Sequence, residues 1–284
     1  MAVWTFEAIG TAWQIDTREP LAENVVAEVL GCITRFDEAW SRFRDDSLVS
    51  DIARGAGDWT MPDEADELLS FYADLHELTD GAVTPLVGRT LADLGYDADY
   101  SLVSVAVPAP VPAWSSIAWN APVLTTVEPV LLDVGAAGKG LLVDRVMSIL
   151  SQYVDQVTVN ASGDLRHRGT SPLRVALEHP HDPTKAIGVA DLAPEWALCA
   201  SATNRRAWGD GLHHVLDGRT GRPVEGIVAT WVVAESCLWA DGLATAHFLV
   251  EPDVLMGRFQ HEFVRIHSDG HVDWSPGFPG EVFA

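Results

Sequence analysis

Cysteine is scarce in this chain. Its 284 residues include three cysteines, Cys32, Cys199 and Cys237, which are odd in number and far apart. This pattern excludes a disulfide framework and lacks the close pairs of a structural zinc site. We therefore expect the cysteines to be small core residues.

Positive charge is scarce as well. Eighteen Lys and Arg residues stand against 41 Asp and Glu, which gives a net charge of -23. Such a protein repels a phosphate backbone, so nucleic acid is not an expected partner. It also repels a polyanionic small ligand unless backbone N–H groups, a few arginines or a divalent cation supply local positive potential. The charge therefore favours a metal wherever phosphate is bound.

Long apolar runs are missing too. None approaches the roughly 20 residues that cross a bilayer, so no membrane insertion is predicted. The first residues, MAVWTFEAIGTAWQID, alternate like a strand and show no basic region followed by an apolar stretch. On this pattern we expect a cytoplasmic protein.

The composition that remains is that of a folded protein, with 48% hydrophobic and 21% charged residues. We expect a single domain over residues 1–284. A subdivision near 97–127 is the alternative, because that segment is rich in proline, alanine and valine. Its alternating apolar residues nevertheless fit short strands joined by turns.

Apolar periodicity predicts helices over residues 21–43 and 63–79. Further on, EPVLLDVG has the length of a strand, GAAGKG forms a loop, and a helical stripe follows. A helix over 236–250, with Ser236 as its N-cap, precedes a closing hairpin of HEFVRI and HVDW. The mixture indicates an α+β fold of mixed or antiparallel sheets flanked by helices.

The loop GAAGKG, residues 135–140, is a candidate phosphate cradle, because small residues let backbone N–H groups approach an anion at a helix start. It is not a complete P-loop, since Asp133 and Gly140 stand where that motif needs a glycine and a hydroxyl residue. Alone, such a loop is more often a tight strand-to-helix connection with a solvated Lys139.

Asp241 and Thr245 lie four residues apart in a predicted helix, so their oxygens project from one face. Such a pair can share a hard cation, and Mg²⁺ suits it because that ion also takes substrate phosphate and water. Alone, the pair is more often an exposed polar face.

His214 precedes a glycine-rich loop, and histidine is the side chain best suited to accept a proton near neutral pH. In NASGD, Asn160, Gly163 and Asp164 can bind ligand hydroxyls or close a turn. Alone, a histidine and a turn of this kind are more often structural.

Taken together, these blocks resemble the ApbE family. LLDVGAAGKGLLVD is similar to its Asp-Leu-Gly-Gly-Ile-Ala-Lys-Gly followed by a helix with Val-Asp, and VNASGD to its Asn-x-Gly-Gly-Asp. HHVLDGRTGRPV is similar to its His-Ile-Ile-Asp-Pro-x-Thr-Gly-x-Pro, and ADGLATAHF to its Ala-Asp-x-x-x-Thr-Ala. AIGTAW, SRFRDDSLVSDIAR and TDGAVTPLVG extend the resemblance over nearly the whole chain.

The resemblance implies an ApbE-like, T-fold-related architecture and a magnesium-dependent FAD:protein FMN transferase. Such an enzyme splits the pyrophosphate of FAD, releases AMP and attaches FMN to a threonine of an acceptor protein. The implied metal ligands are Asp241, Thr245 and the backbone carbonyl of Gly138. His214 is implied as the base that takes the threonine proton, and Asp217 either orients it or closes the loop.

The resemblance also implies a set of residues that contact FAD. Lys139 belongs to the loop motif, and Arg205 or Arg206 is placed to meet phosphate. The remaining members are Ser41, Arg42, Phe43, Asn160, Gly163 and Asp164.

The chain departs from the family pattern at four places. Ala136 replaces a glycine, Gly138 an alanine and Gly218 a proline. Ser162 replaces the first glycine of the Gly-Gly pair, and it adds a side chain where the backbone or ligand needs room. We expect Ser162 to alter the affinity for FAD more than the other three.

Two alternative functions share these residues. The first is an FAD pyrophosphatase, in which water attacks and FMN and AMP are released. The second is a non-catalytic flavin-binding relative, which the loop departures favour and the retained Asp241, Thr245, Lys139 and His214 oppose.

Overall fold

The computed structural model describes residues 1–283, and the amphipathic segments of the sequence form its helices. The α-helices of this part of the chain are α1 (Glu23–Trp40), α2 (Leu48–Ile52), α3 (Ala65–Leu78), α4 (Gly88–Asp93), α5 (Gly138–Leu150), α6 (Cys237–Ala246) and α7 (Pro252–Met256). The predicted helices over 21–43 and 63–79 are confirmed as α1 and α3. The helix predicted over 236–250 is confirmed as α6, which ends four residues early.

The strands are mostly short. They are β1 (Ala2–Ala8), β2 (Thr11–Thr17), β3 (Gly57–Thr60), β4 (Ile117–Asn120), β5 (Val123–Thr126), β6 (Val157–Ala161), β7 (Asp164–Arg168), β8 (Leu173–His179), β9 (Asp182–Leu192), β10 (Ala197–Ala202), β11 (Ala207–Trp208), β12 (Leu212–His213), β13 (Leu216–Asp217), β14 (Arg222–Pro223), β15 (Ile227–Ala234), β16 (His261–His267), β17 (Val272–Trp274) and β18 (Gly280–Val282). The closing hairpin is confirmed as β16 and β17. The fold is α+β, as predicted.

The chain divides into two units. The first comprises Met1–Thr34, Ala137–Asn204 and the described chain from Glu225 onward. The second comprises Arg35–Ala136 and Arg205–Val224, and it contains all of segment 97–127.

The first unit is built on an eight-stranded sheet in the order β1-β2-β6-β7-β10-β15-β16-β17, with every neighbouring pair antiparallel. Helix α5 packs on β6 and β7, and α6 packs on β10 and β15. A three-stranded sheet, β18-β9-β8, packs with the large sheet around a core that includes Leu165, Leu198, Val264, Leu177 and Leu192. Strand β15 is almost wholly buried because it is covered on both faces.

Side-chain alternation in β7 and β10 assigns residues to opposite faces of the large sheet. Leu165 and Leu198 join the core shared with the small sheet. The next pair in register is Asp164 and Cys199, and Cys199 faces α6 through a bond from its thiol to the Cys237 carbonyl. Asp164 and Arg166 of β7 therefore face the helices.

The second unit contains α2, α3, α4, the sheet β3-β5-β4 and the hairpins β11–β12 and β13–β14. Leu91, Leu94, Tyr96, Trp208 and Leu216 form one of its cores. Helix α1 belongs to the first unit up to Thr34 and to the second from Arg35.

One local prediction was wrong, and another is confirmed only in part. EPVLLDVG forms no strand although Val130, Leu132 and Val134 alternate into the core, because it pairs with no neighbouring strand. The N–H of Asp133 instead donates to the Pro85 carbonyl in a turn. In segment 97–127, strands occur only in its last part, as β4 and β5.

The cysteines are free thiols. Cys199 and Cys237 are buried in the first unit with their sulfurs 3.3 Å apart, as expected of small core residues, whereas Cys32 is half-buried. No helix among residues 1–283 combines the length and apolar character needed to cross a membrane.

Candidate functional site

The first turn of α5 places Lys139 against a buried carboxylate. The ammonium of Lys139 forms an ion pair with Asp164 and donates to the Ala161 carbonyl at 3.1 Å. Burial alone would lower the pKa of Lys139, but Asp164 and Asp241 raise it above its ordinary value. Lys139 is therefore a charged, largely buried side chain, and the alternative of a solvated lysine is wrong.

Asp241 on α6 is the second carboxylate of this cluster. It is buried, and its Oδ2 accepts the N–H of Gly140 at 2.9 Å. Burial, and then the charge of Asp164, raise the pKa of Asp241 well above its usual range. Two buried carboxylates thus face one ammonium, and the cluster carries a surplus negative charge when both are ionised.

Asp164 lacks the hydrogen bonds that a buried carboxylate normally has. Its side chain is fully buried, and among the described residues its only close polar neighbours are the Lys139 ammonium and the Asp241 carboxyl, with no N–H or O–H donor from the backbone or a neutral side chain. Buried charge without full pairing is costly, and such groups usually coordinate a cation or bind a ligand. The arrangement therefore suits a further positive charge.

Helix α6 starts at the predicted N-cap, where the Ser236 hydroxyl accepts the N–H of Trp239 at 3.2 Å. One helical turn separates Asp241 from Thr245, and Thr245 is partly exposed. Gly138 is the first residue of α5, two residues before the N–H that Asp241 accepts. Among residues 1–283 no group of three or more His, Cys, Asp or Glu side chains is placed to hold a metal ion.

The turn NASGD joins β6 to β7 through two residues with positive φ, Ser162 at 51° and Gly163 at 108°. A two-residue hairpin turn needs positive φ at this place, where asparagine and glycine are usual. Asn160 Oδ1 accepts the N–H of Gly163 at 3.1 Å, and the Ser162 hydroxyl donates to the Ala12 carbonyl at 2.9 Å. The turn is therefore held by one hydrogen bond within it and by another to β2.

An open cavity of about 400 Å³ lies beside this turn on the β1, β2 and β6 side of the first unit. Its lining includes Asn160, Ser162, Ala12, Gln14 and Glu7. Asn160 is thus the one predicted FAD contact that borders this cavity.

In the second unit, Arg42, a predicted FAD contact, is a buried residue. It is 6% exposed, and its Nε donates to Asp133 at 2.5 Å while NH1 donates to the Tyr96 carbonyl at 2.6 Å. Burial alone would raise the pKa of Asp133, but Arg42 and the Gly135 N–H lower it below its ordinary value. The remaining nitrogen of Arg42, NH2, is buried without a partner.

Phe43 belongs to an aromatic cluster that sequence reasoning missed. Its ring lies 5.1 Å from Tyr100 in a stacked pair and 5.3 Å from Tyr96, which in turn stacks on Trp208 at 5.6 Å. The guanidinium of Arg42 lies 4.2 Å from the centre of the Phe43 ring. These tyrosines fall at or next to the segment interpreted as short strands, where no local pattern signals a cluster.

His214 is largely enclosed in the second unit. Burial, and then the charge of Arg206, lower the pKa of His214 to about 4, so the ring is neutral at pH 7. Its Nδ1 is buried and makes no hydrogen bond. A neutral ring with an unpartnered nitrogen can take up a proton, although a pKa this low makes it a weak base.

Asp217 binds Arg219 rather than the histidine. Its carboxylate accepts from Arg219 Nε at 2.9 Å and NH2 at 2.6 Å, and also from the Arg219 backbone N–H. This geometry favours the loop-closing role among the two alternatives. Arg205 and Arg206 are exposed, and Ser41 is half-buried.

The model of the ApbE family matches residues 9–263. The FAD:protein FMN transferase of Rhodobacter capsulatus is 29% identical in an alignment over 264 residues that covers 85% of this chain and 50% of the relative. That of Salmonella typhimurium is 23% identical in an alignment over 265 residues that covers 84% of this chain and 75% of the relative. The chain therefore spans about half the length of the Rhodobacter relative.

Solved structures share the fold. The ApbE protein of Thermotoga maritima superposes with a TM-score of 0.84 at 23% identity and covers 99% of both chains. The flavin transferase ApbE of Vibrio cholerae superposes with a TM-score of 0.79 at 22% identity, covering 98% of this chain and 97% of the other.

Ser162 allows a test of how the turn tolerates a side chain. Ser162→Ala keeps the left-handed backbone but loses the bond to Ala12, so the free energy of unfolding should fall by about 1 kcal/mol. Ser162→Gly loses the same bond but relieves strain of roughly 1–2 kcal/mol, so its stability should stay near that of wild type. Urea unfolding of the three proteins measures both values. Equal stability of the alanine variant and wild type would mean that the bond contributes nothing.

Proposed function

The chain belongs to the ApbE family, and on this premise we propose that it is a magnesium-dependent FAD:protein FMN transferase. The reaction cleaves the pyrophosphate of FAD, releases AMP and joins FMN to a threonine of an acceptor protein. The observation that carries the proposal is the buried cluster of Asp164, Lys139 and Asp241, in which burial and the charge of Asp164 raise the pKa of Asp241, a cost that a bound cation would offset. The names of the Rhodobacter and Salmonella relatives support the same activity.

The donors near Asp241 fit Mg²⁺. Asp241 uses Oδ2 for the Gly140 N–H, which leaves Oδ1 for a cation, and Thr245 supplies a hydroxyl one turn further on. The Gly138 carbonyl adds a third oxygen at the start of α5. One carboxylate, one hydroxyl and one carbonyl leave room for water and phosphate, as Mg²⁺ prefers. When bound, the ion neutralises charge on the pyrophosphate as it is cleaved.

His214 is proposed to accept the proton of the incoming threonine hydroxyl. Its lowered pKa keeps the ring unprotonated throughout the neutral range, and its buried Nδ1, which has no hydrogen-bond partner in the described part of the chain, is the nitrogen that we assign to the proton. Asp217 is proposed to hold the β13–β14 turn through Arg219, so that the backbone next to His214 stays in place.

The proposed FAD contacts fall into two groups. Asn160, Ser41, Phe43, Arg205 and Arg206 are at least partly accessible, and we assign them direct contact. Gly163 is assigned contact through its backbone. The buried Arg42, Lys139 and Asp164 act mainly through their ion pairs, by fixing the loops around them.

The decisive experiment incubates the protein with FAD, Mg²⁺ and a lysate of its own cells. In-gel flavin fluorescence, followed by mass spectrometry of the fluorescent band, should locate FMN on a threonine. Release of FMN and AMP without any labelled protein would instead indicate a pyrophosphatase. Tight FAD binding without turnover at any Mg²⁺ concentration would indicate a non-catalytic binder.

Asp241→Asn should abolish transfer and stabilise the metal-free protein. The asparagine oxygen still accepts the Gly140 N–H, but the charge is gone and Lys139 pairs with Asp164 alone. Loss of a ligand should lower the rate by at least about 100-fold, beyond what outer partners of a metal cause. Since the folded-state pKa of Asp241 is raised, the wild type loses stability as pH rises above the unfolded pKa, and the variant avoids that loss.

Transfer rate and melting temperature at pH 7 in EDTA measure the two effects. The control is Asp253→Asn, which removes an exposed carboxylate and should change neither the transfer rate nor the melting temperature. A melting temperature of Asp241→Asn below that of wild type would contradict the assignment of a costly buried charge.

His214→Ala should lower the transfer rate by about 10²- to 10⁴-fold, the usual contribution of a general base. Because the pKa of His214 is lowered to about 4, protonation of this ring should not reduce the wild-type rate between pH 6 and 8. The pH–rate profile of wild type, the variant and the exposed control His271→Ala measures this. Unimpaired transfer by His214→Ala would remove the histidine from its role.

A further inference from the structure

Helices α5 and α6 are linked by two carboxylates, each of which lies on one helix and accepts N–H groups of the other. The Asp241 carboxylate of α6 accepts the N–H of Gly140 in the first turn of α5 at 2.9 Å. In return, the Asp144 carboxylate of α5 accepts two N–H groups in the first turn of α6, those of Cys237 and Leu238, each at 3.0 Å. Each helix thus caps the start of the other.

This exchange satisfies the start of α6 completely. The N–H groups of Cys237 and Leu238 bind Asp144, and the next one, of Trp239, binds Ser236. The first N–H groups of a helix have no partner within the helix, and its positive end favours a carboxylate. Asp144 therefore fixes the position of α6 both along the axis of that helix and relative to α5.

The two helices also touch too closely to slide. A Cβ atom at Gly140 would lie 2.7 Å from the Cβ of Asp241 and would collide with the Cys237 carbonyl. Only glycine fits at that point. A shift of α6 along α5 would therefore change the distance between the Asp241 carboxylate and the Gly140 N–H.

Asp144 is itself held by β7. Arg166 forms an ion pair with it and reaches the Glu235 carbonyl, just before α6, at 3.5 Å. Arg166 lies two residues after Asp164, so both project from the same face of β7. Asp164 pairs with Lys139 and Arg166 pairs with Asp144, so β7 is joined to α5 by two ion pairs.

We infer that Asp144 is a positioning residue that sets the divalent-cation affinity of Asp241 by fixing the start of α6. The inference rests on the proposed function, since it takes Asp241 as a metal ligand. Asp144 itself touches no ligand. Its side chain is 12% exposed and is occupied by Arg166 and the two N–H groups.

The test titrates Mn²⁺, followed by its electron paramagnetic resonance signal, into wild type, Asp144→Asn and Ser236→Ala. Asparagine presents an amide donor to one of the two N–H groups, so α6 loses one hydrogen bond at its start. It also loses the negative charge that faces its positive end. The Kd for Mn²⁺ should rise about tenfold, as on loss of an outer partner of a metal site. Ser236→Ala removes a cap from the same helix without touching α5, so it should lower the melting temperature and leave the Kd unchanged.

The outcomes separate the two levels of the proposal. If Asp144→Asn binds Mn²⁺ as wild type does, the positioning role is wrong while the proposed function stands. If Ser236→Ala weakens binding as much as Asp144→Asn, Asp144 acts only through helix stability, and the inference is again wrong. If wild type itself binds no Mn²⁺, the magnesium dependence in the proposed function fails.

A measurement on wild type alone covers the case in which Asp144→Asn does not fold. Coupling between two sites is reciprocal, so a metal at Asp241 must strengthen the caps that place it. Hydrogen exchange of the Cys237 and Leu238 amides should slow on addition of Mn²⁺, and the Trp239 amide should change less. Unchanged exchange at Cys237 and Leu238 would contradict the inference.

Discussion

One ammonium facing two buried carboxylates is the constraint on which much of the first unit depends. Lys139 pairs with Asp164, and Asp241 is left with a single backbone donor, the Gly140 N–H. Removing a carboxylate from water costs several kcal/mol unless charge and hydrogen bonds replace the solvent. Here the replacement is incomplete, so the pKa of Asp241 rises. The fold keeps an acidic side chain here that its own hydrogen bonding does not require.

The alternation of β7 makes this cluster possible. Leu165 faces the core shared with β8 and β9, while Asp164 and Arg166 face α5 and meet Lys139 and Asp144. One face of β7 therefore packs in the apolar core, and the other face carries two charged side chains that form ion pairs with α5. In the sequence the same residues look like a modest polar strand, because their partners lie 22 or more residues away.

Sequence reasoning succeeded where the information is local. Amphipathic spacing predicted α1 and α3, and the serine before α6 predicted its cap. It failed where a partner decides the structure: the apolar run before Gly135 has the pattern of a strand but no neighbour to pair with. Arg42 likewise binds Asp133 from 91 residues away, and no local pattern announces that pairing. Motif order indicated His214, but its lowered pKa depends on tertiary burial that the motif does not encode.

The charge of Asp241 bears on function more directly than its presence in a motif. An asparagine would make the same bond to Gly140 without the burial cost, so the fold alone gives no reason for a carboxylate at this place. Lys139 does not supply the reason, because Asp164 already neutralises it. The remaining explanation is a positive charge that arrives from solution, and a protein with a net charge of -23 has particular need of one wherever it binds phosphate. The divalent cation that we propose therefore accounts for a buried carboxylate at this place, and the acidic composition favours the same cation.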